Sequence, residues 1–258
     1  MKTNDWNPDL YLKFGKERIQ PSIDLVSRIN FDNPEKIIDI GCGPGNSTQI
    51  LADRWPEAKI LGIDNSPAMI EKAKKDYPDQ EWRIIDAGKD ELNEKFDIIF
   101  SNATIQWIPD HRNLLKKFYE SLNDGGLVAI QLPLFFDMPL GKTIASVAED
   151  NRWSHIAKDV TSLFTIHNTK TYYDFLSEWY HSIEIWESNY IHIMDSHESI
   201  LEMIRSTGLR PYLDKLENET DKKDFENLVL QGIIRDYLLQ KDGKVLFPFE
   251  RLFFIAKK

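Results

Sequence analysis

The chain has 258 residues, 41% apolar and 29% charged, with a formal net charge of −10 and one cysteine. That length fits one large or two small domains with a sizeable core, and the composition is that of a globular protein. The acidic balance argues against nucleic acid or an anionic membrane as a partner, and no apolar run approaches the roughly 18 residues of a bilayer span. The start, Met1 to Trp6, carries no apolar signal core. A single cysteine excludes an internal disulfide and fits a reducing cytoplasm. The histidines have no cysteine partners and form no H-E-x-x-H pattern, so no metal is expected.

Residues 1–34 read as an N-terminal helical cap. Trp6-Asn7-Pro8-Asp9 is a turn, and Leu10 to Ile29 has helical periodicity through Tyr11, Phe14, Ile19, Leu25 and Val26. Pro21 predicts a kink or two helices. Strands and helices then alternate. Strands are expected at Lys36–Ile40, Lys59–Ile63, Trp82–Ile85, Phe96–Phe100 and Leu127–Leu132, the fourth of them a buried apolar run suited to a parallel sheet. Between them lie helices at Ser47–Trp55, Pro67–Asp76 behind the N-cap Ser66, and Asp110–Leu122, stopped by Gly125-Gly126.

The second half is less regular. Residues 140–150, 171–180 and 196–206 read as helical, the last closed by Gly208, and Asp221 to Gln240 as a long amphipathic helix. Ile183–Ile193 alternates like a strand, and Val245–Ala256 is a strand pair or one long strand whose Pro248 suggests an edge or bulge. The expected fold is α/β: a doubly wound, mostly parallel, Rossmann-like sheet of seven strands with right-handed crossovers. Residues 35–133 form its core and 134–258 the remainder of the same domain. Helical stretches at about 134–180 and 195–243 serve as a lid over the sheet's C-terminal edge, where ligands bind in such folds.

The densest signal is Ile37-Ile38-Asp39-Ile40-Gly41-Cys42-Gly43-Pro44-Gly45-Asn46, a strand running into a loop with glycine at every second position and then a helix. That arrangement brings backbone N–H groups close to a nucleotide-like ligand. Asp64, at the tip of the second strand, is placed to accept hydrogen bonds from ribose hydroxyls. A dinucleotide fingerprint is G-x-G-x-x-G; here the spacing is G-x-G-x-G with Asp39 before it, and an acid there suits a cationic ligand rather than a pyrophosphate. S-adenosylmethionine carries both an ammonium and a sulfonium. A tight turn without ligand, or a nicotinamide or flavin site, are the alternatives. The two late strands favour S-adenosylmethionine, because a dehydrogenase more often has six parallel strands.

At this motif the chain resembles the class I S-adenosylmethionine-dependent methyltransferases. Further segments resemble the trans-aconitate 2-methyltransferase family: Asp5 to Leu12, Gly41 to Thr48, Asn102-Ala103-Thr104-Ile105-Gln106-Trp107-Ile108-Pro109-Asp110-His111, Tyr172-Tyr173-Asp174, Thr207-Gly208-Leu209-Arg210-Pro211-Tyr212-Leu213 and Phe247 to Phe253. The resemblance implies esterification of a carboxylate of a small polycarboxylate. It places Tyr11 near the methionine end of the cofactor, Asp86 with Ala87 at the adenine, and Asn102 at the methionine portion. Gly41, Cys42, Gly43, Gly45, Asp39, Asp64, Asn65 and Met69 complete the expected cofactor set. One stretch departs from the family: a polar Pro-Asp-Asn type sequence is expected after the fifth strand, where this chain has Pro133-Leu134-Phe135-Phe136.

A carboxylate is ionised at neutral pH and a sulfonium methyl is already activated, so no residue is expected to be an essential acid or base. Carboxylates call for arginine forks. The candidates are Arg18, Arg205, Arg210 and Arg251, with Gln106 and Trp107 extending the acceptor side. Other readings are a methyltransferase for a different small metabolite, or a non-catalytic S-adenosylmethionine-binding protein. Oligomeric state is not legible.

Overall fold

The structure, a computed structural model, describes residues 15–258, with side chains from Ile19 onward. Its first element, α1 (Gly15–Arg28), passes through Pro21 as one helix, so the expected break into two does not occur. There follow β1 (Lys36–Ile40), α2 (Asn46–Arg54), β2 (Lys59–Asp64), α3 (Pro67–Asp76), β3 (Glu81–Ile84), β4 (Phe96–Asn102), α4 (His111–Glu120) and β5 (Leu122–Pro133). The remainder is α5 (Pro139–Ala148), α6 (Ser154–Thr161), α7 (Thr169–Leu176), β6 (Ser182–Met194), α8 (His197–Arg205), α9 (Arg210–Lys215), α10 (Glu219–Asp236) and β7 (Val245–Lys257).

The seven strands form one sheet in the order β3-β2-β1-β4-β5-β7-β6. β1 pairs in parallel with β2 on one side and β4 on the other, β2 with β3, and β4 with β5. The chain order reverses between β1 and β4, the topological switch point at which ligands bind in open α/β sheets. Ile37, Ile38 and Ile40 of β1, Ile98 to Phe100 of β4 and Leu127 to Ile130 of β5 are all buried, as strands covered on both faces must be.

Local chemistry explains the helix starts. Ser66 accepts from the Met69 N–H with Pro67 behind it, and Asp110, Asn168, Ser196 and Asn218 cap α4, α7, α8 and α10 in the same way. The Asn218 cap moves the start of α10 ahead of the expected Asp221. α6 and α9, both short, fall within the stretches expected to be helical at about 134–180 and 195–243, where no separate bounds were expected for them. β7 is one strand, and it lies between β5 and β6 rather than at an edge. Lys258 N–H donates to Gly126 O and Leu134 N–H to Glu250 O, a sense that makes β7 antiparallel to β5. Because Leu134 lies just past the end of β5, Pro248 has no β5 partner to deprive of a donor.

The chain divides into two compact units: residues 1–132, 165–187 and 252–258 in the first, and 133–164 and 188–251 in the second. The first holds β1 to β5 with α1 to α4 and α7. The second holds α5, α6 and α8 to α10, where Trp153 packs edge-on to Phe225 and Phe225 stacks on Tyr212. Among the described residues no helix is long and apolar enough to cross a membrane.

Inside β2, Gly62 is required by space. A Cβ there would lie 2.3 Å from the ring of Trp82, which is pinned by its Nε1–H to Tyr77 O at 2.9 Å. Gly62→Ala is expected to cost about 1–3 kcal/mol through overpacking, read as a lowered thermal midpoint; an unchanged midpoint would contradict this packing.

Candidate functional site

β1 ends and the chain turns through three left-handed glycines, Gly41, Gly43 and Gly45, at φ of 70°, 54° and 97°, a region that residues with a Cβ enter only under strain. Gly41 has a second reason to be glycine: a Cβ would meet the Thr104 side chain at 2.1 Å. The Thr104 hydroxyl donates to Gly41 O, and the N–H groups of Gly41 and Cys42 donate to Ile63 O at 2.8 and 3.0 Å. Asp64 closes the loop from the other side, one carboxylate oxygen accepting from Gly43 N–H at 3.0 Å and the other from Ser66 N–H at 2.9 Å. Tyr77 and Trp82 crowd the position of a Gly45 Cβ, and Cys42 packs against Ile70, Ala73 and Trp82. Burial, then the charges of Asp39 and Asp64, hold the Cys42 thiol far above its ordinary range, so it is an unreactive packing residue.

Asp39 lies directly beneath this loop with no exposed surface. Its Oδ2 accepts from the hydroxyls of Ser47 at 2.6 Å and Thr48 at 2.7 Å. Among the described residues its Oδ1 is buried without a hydrogen-bond partner. Burial pushes its carboxyl up to about 6, offset in part by the Ser47 and Thr48 hydroxyls and reinforced by the Asp64 charge. Two further acceptors at the switch point are buried without a partner: Asn46 Oδ1 at the first residue of α2, and Asn102 Oδ1 at the end of β4.

The chain after β4 is held by many bonds. Ala103 stands at φ 53° and gives its N–H to Gln131 O. The Gln106 amide donates to Ala103 O at 2.7 Å, leaving its Oε1 buried without a partner. A single 3-10 turn, Ile105–Trp107, follows. His111 is fully buried and spans from Ile105 O, 2.7 Å from Nε2, to the Tyr172 hydroxyl, 2.7 Å from Nδ1. Since a carbonyl only accepts, Nε2 carries the proton and Tyr172 donates to Nδ1. Burial lowers His111 to about 4, so it is neutral and holds the turn as a fixed tautomer.

Around this centre, Asn65 is exposed and Met69 is buried on α3. Asp86 follows β3. Burial would raise its carboxyl, but Lys89 at 2.6 Å and the Gly88 N–H outweigh that and hold it below its ordinary range. Ala87 is buried, and Trp107 is half-buried. In the second unit, Arg251 is 4% exposed, its guanidinium 4.6 Å from the centre of the Phe249 ring and 5.8 Å from that of Tyr190. Arg210 donates to Asp214 at 3.2 Å. Arg205 places its fork on Glu226 at 2.6 and 2.9 Å. Arg18 lies in α1, but its side chain, like all of Tyr11, is outside the described residues. Among the described residues no group of three or more His, Cys, Asp or Glu side chains comes together as a metal site.

Sequence reasoning missed Asn46, the Ser47 and Thr48 hydroxyls, Thr104, and the His111–Tyr172 pair. Ser47-Thr48 were readable only as ordinary helix residues, because nothing in their spacing says that they face Asp39. The arrangement suits a ligand with a cationic head: Asp39 Oδ1, Asn46 Oδ1 and Asn102 Oδ1, buried without donors among the described residues, belong to the end of β1, the start of α2 and the end of β4, and the backbone N–H groups of the loop are already committed to Ile63, Asp64 and Cys42. The chemistry of these residues fits S-adenosylmethionine, whose ammonium is a donor of the kind such acceptors take.

The family model for methyltransferase domains matches residues 11–174. The chain is 38% identical over 254 residues to a trans-aconitate 2-methyltransferase of Enterobacter sp. strain 638, covering 98% of both chains. It is 39% identical over 255 residues to the enzyme of that name from Escherichia coli strain 55989, covering 99% of both. Among solved structures, the YcgJ protein of Bacillus subtilis shares the fold with a TM-score of 0.59 at 13% identity, over 92% of this chain and 98% of that one. The chain therefore belongs to the trans-aconitate 2-methyltransferase family of S-adenosylmethionine-dependent methyltransferases.

Proposed function

We propose that this protein transfers a methyl group from S-adenosylmethionine to a carboxylate of a small polycarboxylate such as trans-aconitate. The observation that carries the cofactor half is the set of buried acceptors, Asp39 Oδ1, Asn46 Oδ1 and Asn102 Oδ1, without donors of their own. The acceptor half is supported by the nearly full-length likeness to trans-aconitate 2-methyltransferases.

On this reading Asp39, Asn46 and Asn102 receive the ammonium, and the loop from Gly41 through Cys42 and Gly43 to Gly45 follows the cofactor's middle. Asp64 takes the ribose, Asn65, Met69, Asp86 and Ala87 surround the adenine, and Tyr11 closes the methionine end. Bound, the cofactor supplies a methyl group already activated by its sulfonium. The chain supplies orientation, which is worth roughly 7–11 kcal/mol in favourable cases. An ionised carboxylate needs no base, and His111, held neutral between two partners, is not called on to act as one. The candidates for the acceptor's charges are Arg18, Arg210 and Arg251, and Gln106 and Trp107 are candidates for its remaining contacts. Arg205, its fork already on Glu226, contributes least. A cytoplasmic location belongs to the same proposal. The aromatic stretch Phe135-Phe136 favours, as a second reading, a related metabolite with an apolar flank.

Following S-adenosylhomocysteine release over a panel of carboxylic acids and amines tests the reaction. Turnover of polycarboxylates is expected, and activity on amines alone would overturn it. Asp39→Asn is expected to weaken cofactor binding by about tenfold or more, and to raise the stability of the free protein at pH 7.5, where the buried charge opposes folding. Weaker binding together with lower stability would mark Asp39 as purely structural. In the wild type, affinity is expected to fall as pH drops through about 6, because binding must then displace the Asp39 proton; a flat calorimetric profile would contradict it. Arg251→Lys keeps the charge but loses the fork, so the acceptor KM is expected to rise about tenfold at unchanged cofactor affinity, whereas Arg205→Met leaves both near wild type.

A further inference from the structure

In the second unit, Leu134-Phe135 touches both chain segments that carry candidate carboxylate-binding arginines, the Leu134 backbone on the Glu250–Arg251 side and the Phe135 ring on the Gly208–Arg210 side. Phe135 is buried. Next to it, Leu134 N–H donates to Glu250 O at 3.0 Å, which fixes the Phe135 backbone beside the residue preceding Arg251. Its carbonyl oxygen fills the space of a Cβ at Gly141, 2.1 Å away, so the first turn of α5 presses on it from behind. The tip of its ring, Cζ, lies 2.7 Å from where a Cβ on Gly208 would stand, with Cε1 and Cε2 at 3.2 and 3.1 Å. Gly208 opens the segment leading to Arg210. It is not among the positive-φ glycines, so it is glycine for the ring's sake and not to end α8 in a left-handed conformation. Phe136, edge-on to Phe135 at 6.0 Å, and Phe164, edge-on to Phe136 at 5.5 Å, brace the ring from the side.

We propose that Phe135 is a specificity-determining residue: a rigid spacer between the Gly208–Arg210 segment and the Glu250–Arg251 segment, which sets the separation of the two guanidinium groups and so selects polycarboxylates by the distance between their carboxylates. This rests on the carboxylate reading above. An aromatic ring suits the task because its two side-chain torsions are fixed by close packing, and a shorter or softer side chain lets the two segments approach. A residue of the polar kind expected at this point of the family does not fill the same space.

The test is a profile of kcat/KM over dicarboxylates and tricarboxylates of graded chain length, trans-aconitate among them, for the wild type, Phe135→Leu and Gly208→Ala. Phe135→Leu keeps an apolar filling but removes the ring tip; Gly208→Ala keeps the ring but pushes on it. Folding is checked by thermal melting and by cofactor affinity, since the cofactor residues lie in the first unit. The ratio between the best and next-best acceptor is expected to shift by about tenfold or more in both variants at unchanged cofactor affinity. Variants that fold, bind cofactor and keep the wild-type ratio would overturn the proposal while leaving the carboxylate reading intact. A wild type that turns over no polycarboxylate would overturn that reading, and the spacer with it.

Discussion

Asp39 sits at the end of a strand buried on both faces, with its charge opposed by the absence of water and by Asp64. Two hydroxyls from the first turn of α2 satisfy one oxygen and leave the other bare. Burying a carboxylate in this way is unfavourable unless a partner is supplied. The surrounding construction makes sense as the means of holding it there: three left-handed glycines, Thr104 locked onto Gly41, and Asp64 bonded to Gly43 and Ser66. On the proposed reading, a cationic ligand head relieves that opposition when it binds.

The same region balances two titrations of opposite sign. Asp39 has a folded pKa of about 6, above its ordinary 3.8. The unfolded chain therefore binds fewer protons between these values, and this group adds stability as pH falls through about 6. His111 is the reverse: its folded pKa of about 4 lies below 6.5, so its contribution is present above 6.5 and is lost as pH falls toward 4. Each shift is worth about 3 kcal/mol, and between about pH 6 and 4 they offset. The neutral imidazole keeps the turn after β4 in place, and the raised carboxyl keeps its charge available for a ligand near neutrality.

The alternation of apolar runs and capped helices made the sheet legible, because parallel strands buried on both faces leave nearly continuous apolar stretches and because Ser66-Pro67 and Asp110 mark helix starts by local chemistry. The tight turn through the glycines after Asp39 was legible for the same reason: positive φ and close backbone approach are written in the residue type. What was not legible depends on tertiary placement. Thr104 and Tyr172 reach partners more than sixty residues away, and Ser47 and Thr48 reach back over the glycine loop to Asp39. Gly208 looked like a helix terminator and is instead a contact for Phe135, and Pro248 looked like an edge-strand marker and lies where β5 has already ended. The arginines were nominated by charge alone. The fold distinguishes Arg251, buried over Phe249, from Arg205, committed to Glu226.

On the proposed reading, the buried carboxylate of Asp39 at the switch point of the sheet takes a cation as its partner. NMR titration of the Asp39 side-chain carboxyl carbon, in protein labelled at aspartate, without and with S-adenosylhomocysteine, tests it directly. A midpoint of about 6 is expected in the free protein, with a clear downward shift on binding, as the ligand's ammonium stabilises the charged form. An ordinary midpoint near 4 without ligand, or a midpoint that the ligand leaves unmoved, would contradict it.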